Sequence, residues 1–215
     1  SSSTIPTFDS GFPVDFAFER AKSSNSQNWM TSARLMQGKH LSLNTSAADN
    51  SDGNFAFDSN TGWFKSGSHD STYNSWMWKR HAGFTVCTWK GDGVTGRQIA
   101  HDMNKIPEMI WIRSRDGWSW YVYHKGFNSG TNPEQYTLSL DLTNAEQSSA
   151  GMSNNKAPTS THFTLGSFTG VNGSNVAFVS MLFASVDGIS KVGYYDGSSS
   201  SQTITTGFQP RFVMI

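Results

Sequence analysis

The sequence predicts an all-β protein built from tandem β-sandwich-like units of one diverged repeat. Three observations support this prediction: the composition, a dense series of short apolar runs between glycine-rich turns, and an internal repeat. Aromatic residues make up 13% of the 215 residues, charged residues only 15%, and 20 residues are glycine. Abundant aromatic and turn-forming residues, with few charged ones, are typical of strands joined by tight turns.

Short apolar runs predict the strands. Residues 109–112 and 176–183 are rich in apolar, β-favouring side chains, as is typical of strands buried on both faces. Residues 85–89 and 190–195 also predict strands, and each is followed by a glycine-containing turn that we expect to form a hairpin. The serines at 198–201 are expected at the tip of the final hairpin.

Helix signals are weak. Residues 97–105 and 144–152 could each hold one helical turn, but neither shows a sustained period of 3.6 residues. Short strands separated by Gly, Ser and Asn turns favour antiparallel sandwiches over a parallel α/β sheet.

Three anchors recur in the same order along the chain. Residues 11–16 resemble residues 106–110 and 207–212, and the prolines at 13, 107 and 210 mark these matches. Residues 41–51 match 138–148 at an offset of 97, and residues 75–84 match 180–189 at an offset of 105. The alternative is that unrelated strands share similar patterns.

The anchors predict the domain organisation. A first unit is expected over residues 13–106 and a second over 107–209. Residues 1–12 would then end a preceding unit or form a linker, and residues 210–215 would open a further, truncated unit.

Charge and cysteine content exclude several classes of function. The net charge is +0, so the basic face that nucleic-acid binding requires is not expected. An apolar stretch near 18 residues is absent from the sequence, so we expect no membrane insertion. The single cysteine, Cys87, excludes an internal disulfide and a cysteine-based zinc site.

The sequence predicts no catalytic or metal-binding site. The Gly-x-Ser-x-Gly motif of serine hydrolases is missing from the sequence. Glu108 and Asp116 flank one predicted strand and could form a glycosidase pair, although solvated strand ends are the simpler interpretation. His69 and Asp70 could hold a metal, and Asp92 lies in a calcium-like turn, but a solvated loop and a plain turn are favoured. We therefore expect no catalytic residue, metal or cofactor.

Residues 118–124 predict a strand with aromatic side chains on both faces. Trp118, Trp120 and Val122 are expected on one side, with Tyr121 and Tyr123 on the other.

This aromatic strand is the candidate ligand-binding site. Rings of this kind stack on sugar faces while nearby polar groups bind the hydroxyls. The candidate glycan contacts are Trp118, Trp120, Tyr121, Tyr123, Arg115 and Asp116. A second aromatic group, formed by Trp63, Trp76 and Trp78, lies near His69 and Asp70 in the sequence. The alternative is that these rings are core residues of a sandwich.

The anchors also resemble a known family. Residues 76–80, 83–84 and 89–93, with 107–113 and 207–214, are similar to repeats in tail fibre and related virion proteins of marine phages, including cyanophages. The resemblance covers the chain from about residue 11 to its end. It departs from the expected pattern at Cys87 and at residues 198–201.

The resemblance implies a non-catalytic fibre or appendage module on the surface of the virion, with a β-sandwich fold. It implies other virion subunits as partners, a homotrimer, and possible binding to a host cell-surface glycan. Two alternatives stay open. One is a purely architectural role in the capsid or tail, and the other is a polysaccharide depolymerase, which would need a carboxylate cleft.

Overall fold

The fold is all-β, which confirms the predicted fold class. The computed structural model describes residues 6–23, 26–52, 54–66 and 72–215. Within them the strands are β1 Phe8–Asp9, β2 Phe16–Ala21, β3 Met30–Ala33, β4 Leu41–Ser42, β5 Gly62–Trp63, β6 Tyr73–Trp78, β7 Phe84–Lys90, β8 Gln98–Ala100, β9 Met109–Ser114, β10 Tyr121–His124, β11 Tyr136–Ser139, β12 Gln147–Ser148, β13 His162–Thr164 and β14 Ala177–Phe183. Single-turn helices α1 and α2 span Ala150–Ser153 and Thr169–Asn172, and 3-10 turns span Arg34–Met36, Phe127–Gly130 and Pro133–Gln135.

The strands form two larger and two smaller antiparallel sheets. The larger sheets have the strand orders β4-β3-β2-β6 and β12-β11-β10-β9-β14-β7. The smaller sheets pair β1 with β5 and β8 with β13.

The two larger sheets share one arrangement of strands. The order β4-β3-β2-β6 recurs as β11-β10-β9-β14 in the six-stranded sheet. The registers correspond as well, because Leu41 pairs with Thr31 and Leu138 pairs with Val122. Leu41 and Leu138 are 97 positions apart, which is the offset between the matching sequence segments.

Hydrogen bonds recur at the same places in the two sets of strands. The Trp29 amide donates to Asn44 Oδ1 at 2.9 Å, and the Trp120 amide donates to Asp141 Oδ1 at 2.9 Å. In the smaller sheets, the Thr61 amide donates to Ser59 Oγ and the Thr161 amide to Thr159 Oγ1, 100 positions further along. The sets run from β1 to β6 and from β8 to β14, so the predicted boundary at 106/107 falls inside the second set, between β8 and β9.

The larger sheets pack face to face around a central core. Phe16 of β2 lies 5.8 Å from Phe84 of β7 and 6.5 Å from Trp111 of β9, measured between ring centroids. Val122 of β10 and Met181 of β14 complete this cluster from the six-stranded sheet. Since burying aromatic rings dominates core energetics, this central core joins the two sets of strands.

Each larger sheet is covered on its other face by a smaller one. Ala17 of β2 packs with Phe8 of β1 and Trp63 of β5 in one outer core. Ile110 of β9 packs with Ile99 of β8 and with Phe163 of β13 in the other outer core. The predicted strand over 109–112 is therefore buried on both faces, as expected.

Strand β4 and the loop after it make polar contacts with the second set of strands. The Trp120 indole Nε1 donates to the Ser42 carbonyl at 2.8 Å. The Arg113 guanidinium donates to the Ala47 carbonyl at 2.5 Å, and Arg115 Nε donates to Asp49 Oδ2 at 2.6 Å. Such directional bonds fix how one sheet is placed on the other, which apolar contact alone does not.

Three expectations about local structure were wrong. Residues 98–100 form strand β8 instead of a helical turn, because they pair with β13. Residues 190–195 form no strand, and residues 184–215 contain no strand at all, so the final hairpin is not formed. The turn at 91–93 does not close a hairpin either, because β7 pairs with β14. The helical turn expected within 144–152 is α1, confined to Ala150–Ser153.

Replacing Phe16 with Ala should lower the stability of the whole chain. The ring is 0% exposed and contacts both larger sheets, so its loss should cost about 3–5 kcal/mol. Urea unfolding followed by tryptophan fluorescence and far-UV circular dichroism should show one transition, shifted to lower urea. Two separate transitions with only the first shifted would contradict a shared core.

Candidate functional site

Strand β10 places the predicted aromatic residues on opposite faces. Trp120 and Val122 face the central core, whereas Tyr121 and Tyr123 pack against the outer core of the six-stranded sheet. The two-sided arrangement is thus as expected, except that Trp118 and Trp120 both precede β10, which begins at Tyr121.

Trp120 is a core residue. Its side chain is 0% exposed, its indole Nε1 is bonded to Ser42, and the Arg113 guanidinium carbon lies 5.7 Å from the ring centroid. A buried ring has no face for a sugar, so the prediction that Trp120 contacts a glycan is corrected to a structural role.

Arg115 also has a structural role. Besides its ion pair with Asp49, its Nη2 donates to the Met36 carbonyl at 3.3 Å. Both bonds are to the first set of strands, so the guanidinium is already used between the sheets. The neighbouring Asp116 is exposed, and its amide donates to Ser114 Oγ at 3.2 Å.

The Trp118 side chain is exposed beside two other aromatic rings. It is 49% exposed, and its ring meets that of Phe168 edge to face with centroids 6.0 Å apart. Tyr121 meets the same Phe168 ring at 4.9 Å, also edge to face. Trp118, Tyr121 and Phe168 therefore form one aromatic patch, with Asp116 close by in the chain.

The backbone at Trp118 is in a left-handed conformation. Its φ is 84°, and the preceding Gly117 has φ 119°. A bulky residue at positive φ is sterically unfavourable, and such strain is held in place only by the surrounding structure.

The aromatic patch depends on the glycine at position 170, where the backbone packs closely against two of its rings. A Cβ there would lie 2.5 Å from the Phe168 ring and 2.7 Å from the Tyr121 ring. Helix α2 can therefore bring its backbone against both rings only because residue 170 lacks a side chain.

The two tyrosines keep their hydroxyl protons at neutral pH. Burial raises the pKa of Tyr121, and the nearby Asp141 carboxylate raises it further, whereas Arg113 lowers it. Burial, with Glu134 and Glu108, raises the pKa of Tyr123 to about 12.

Glu108 and Asp116 do not form a carboxylate pair. The six residues of β9 and Arg115 lie between them, and β9 alone spans about 20 Å at the rise of a strand. Glu108 accepts hydrogen bonds from Lys125 and from the Ser185 amide. Burial alone would raise the pKa of Glu108, but these bonds outweigh it and hold the pKa below its usual range.

The other polar candidates give no site. Asp92 Oδ1 accepts bonds from the Val94 amide at 2.8 Å and from Asn172 Nδ2 at 3.1 Å, so it caps a loop. His69 and Asp70 lie outside the described residues. In the part of the chain that the structure describes, there is no cluster of three His, Cys, Asp or Glu side chains that could hold a metal. The same part has no helix with the length and apolar character to cross a membrane.

The second aromatic group is divided between two places. Trp63 is 0% exposed in an outer core, where it stacks on Phe8 at 5.1 Å. Trp76 and Trp78 are half-buried on β6, and both lie near Phe212, at 6.0 and 6.2 Å.

One family profile matches the chain. It is described as a domain of unknown function, DUF7483, and it covers residues 1–215. The chain belongs to the DUF7483 family. No curated protein and no solved structure matches the chain.

Within this DUF7483 chain the aromatic patch belongs to the second set of strands alone. The turn from 115 to 119 corresponds to residues 22–28 of the first set, which contain no aromatic residue. Sequence analysis missed Phe168, because it lies 47 positions beyond Tyr121 and no spacing links them. The patch is thus a departure from the shared arrangement.

Alanine substitution at Trp118 should change stability far less than alanine substitution at Trp120. Trp118→Ala removes an exposed ring and should change the free energy of unfolding by about 0.5 kcal/mol or less. Trp120→Ala leaves a buried cavity and an unbonded Ser42 carbonyl, and should cost about 3–5 kcal/mol. Urea unfolding of the pair measures both, and similar losses would contradict the distinction between patch and core.

Proposed function

We propose that the chain is a surface-binding module of a phage fibre or other virion appendage, which contacts a host glycan through the aromatic patch. The observation that carries this proposal is the exposed Trp118 ring, held with Tyr121 and Phe168 at one place on a rigid sandwich. The module acts by binding a glycan and by holding the binding site on a rigid sandwich.

The chemistry of the patch suits a sugar. A pyranose ring has an apolar face of C–H groups that stacks on an indole, and hydroxyls around its rim that need hydrogen-bond partners. Trp118 supplies the ring, while the exposed Asp116 carboxylate accepts from hydroxyls.

Strain at Trp118 supports a functional role for this residue. A tryptophan at φ 84° is less stable than a glycine would be, and nothing in the core requires the ring. Unfavourable backbone conformations cluster at binding sites, where they aim a side chain.

The virion location follows from the resemblance to phage fibre repeats and is supported by the tandem arrangement. Two sets of strands that share a core make a stiff unit, and units of this kind placed in series give an extended object.

A purely architectural role is the second candidate. Several large apolar residues near the end of the chain are exposed, which favours contact with another polypeptide. They are Ile189, Tyr194, Tyr195, Ile204, Phe212, Val213, Met214 and Ile215.

Trp118→Ala should weaken glycan binding. Loss of the stacking ring should weaken binding at least about tenfold, the equivalent of about 1.4 kcal/mol. A glycan array followed by calorimetry with the best ligand measures this, with Tyr195→Ala as the matched control, because Tyr195 is 47% exposed and outside the patch. Equal weakening by both variants, or no glycan bound by the parent chain, would contradict the proposed site.

An antibody raised to this chain should label phage particles at the tips of their fibres. Immunogold electron microscopy tests this directly. Label over the capsid or along the tail shaft would favour the architectural role, and absence of label from every particle would contradict the virion assignment.

A further inference from the structure

Strands β6 and β14 occupy the same position in their sheets but have different neighbours. β14 lies between β9 and β7, whereas β6 pairs with β2 and ends its sheet. Because the two sheets share their strand order, β6 lacks, among the residues that the structure describes, the strand that corresponds to β7.

The open edge of β6 has a consequence for burial. Met181 and Leu182 of β14 are 0% exposed, while their counterparts Trp76 and Met77, 105 positions earlier, are only half-buried. Exposing a tryptophan and a methionine on adjacent positions is unfavourable, so this edge favours an occupant.

The chain contains a second sequence of the β7 type. Gly83 and Phe84 open β7, and Gly188 and Ile189 open the matching segment at the same offset of 105. In the structure, residues 189–195 are outside any strand and mostly exposed. The one bridge of this segment joins Ser190 to Val186, through hydrogen bonds of 2.9 and 3.0 Å, and these bonds must be exchanged if the segment joins a sheet.

This segment lies beside the counterpart of a residue that β7 packs on. Phe84 of β7 packs on Phe16, and Ile189 lines a cleft together with Met109, the counterpart of Phe16. Further along, the Tyr194 ring lies against Gly126, where an added Cβ would be 2.4 Å from the ring. The segment is thus held beside the cleft.

The cleft separates the segment from β6. It has a volume of about 580 Å³, and its walls include Trp76, Met77 and Trp78 on one side and residues 188–193 on another. Residues 208–214 line the same cleft, and the Phe212 ring lies 6.0 Å from Trp76 and 6.2 Å from Trp78. These residues have to shift for the two walls to meet.

We propose that the edge of β6 is a strand-binding site and that residues 189–195 of the same chain bind there. The register of β7 on β14 sets the alignment, because Phe183 pairs with Phe84 and Leu182 with Thr85. The equivalent antiparallel pairs are Trp78 with Ile189 and Met77 with Ser190.

Backbone groups on β6 point in the required direction. The Lys22 amide donates to the Thr72 carbonyl, so by the alternation of an antiparallel ladder residues 74, 76 and 78 face β2. The amides and carbonyls of Ser75 and Met77 then point to the outer edge, where residues 189–195 bind them. Closure also protects this edge from pairing with strands of other chains.

A disulfide between Met77→Cys and Ser190→Cys tests the register, in a Cys87→Ser background that removes the native thiol. Paired strands bring these Cα atoms to about 5.5 Å, within the range of a disulfide. Mild oxidation of the full chain should give a disulfide within one chain, detected by peptide mass spectrometry. The matched control, Met77→Cys with Gly193→Cys, is three positions out of register and should remain reduced.

The alternatives give different results. A disulfide between two chains would show that a second copy fills the edge and would overturn the proposal, as would equal reaction of the control pair or absence of any disulfide. Amide hydrogen exchange on the unaltered chain keeps the test independent of the substitutions. The Ser75 and Met77 amides should be protected to within about tenfold of Ser180 and Leu182, and exchange at the rate of exposed loops would overturn the proposal.

Discussion

Burial of both faces of each larger sheet is the constraint on which the rest of the structure depends. A smaller sheet covers one face of each, as Ile99 and Phe163 cover Ile110. The opposite face is covered by the other large sheet, since Phe16 packs on Trp111 across the central core. Neither set of strands can bury both of its faces alone, and the two sets therefore form one sandwich.

Polar contacts then select one placement of the sheets. Apolar surfaces can slide with little change in free energy, whereas hydrogen bonds to buried groups cannot be broken without cost. Arg113 is 0% exposed and reaches the Ala47 carbonyl, and Trp120 reaches the Ser42 carbonyl. Burial lowers the pKa of Arg113, although Asp141 raises it. A guanidinium buried at this place ties the loop after β4 to the neighbouring sheet.

Local sequence was sufficient to predict the fold class but not the sides of the strands that remain exposed. The run at 109–112 was identified as a doubly buried strand because every side chain in it is apolar. The same reasoning could not separate Trp118 from Trp120, since period-two alternation places them on one face. The difference comes from the positive φ at Trp118, which ends the alternation before β10 begins.

Segments with similar sequences can differ in structure because strands need partners. Residues 84–90 form a strand and residues 189–195 do not, although both follow a glycine and carry apolar residues. The two segments differ in their neighbours. β7 pairs with β14 along its whole length, whereas residues 189–195 lie beside no strand that they pair with in the described part of the chain. Strand propensity is a property of the paired state, and it cannot be evaluated without knowing which edge is available.

Function is best sought where the two sets of strands cease to correspond. Positions shared by both sets, such as Trp29 and Trp120, are explained by the common register and its hydrogen bonds. Trp118 has no counterpart, lies at a strained backbone position and is half exposed. These three properties are the reason for proposing that Trp118 presents its ring to a ligand.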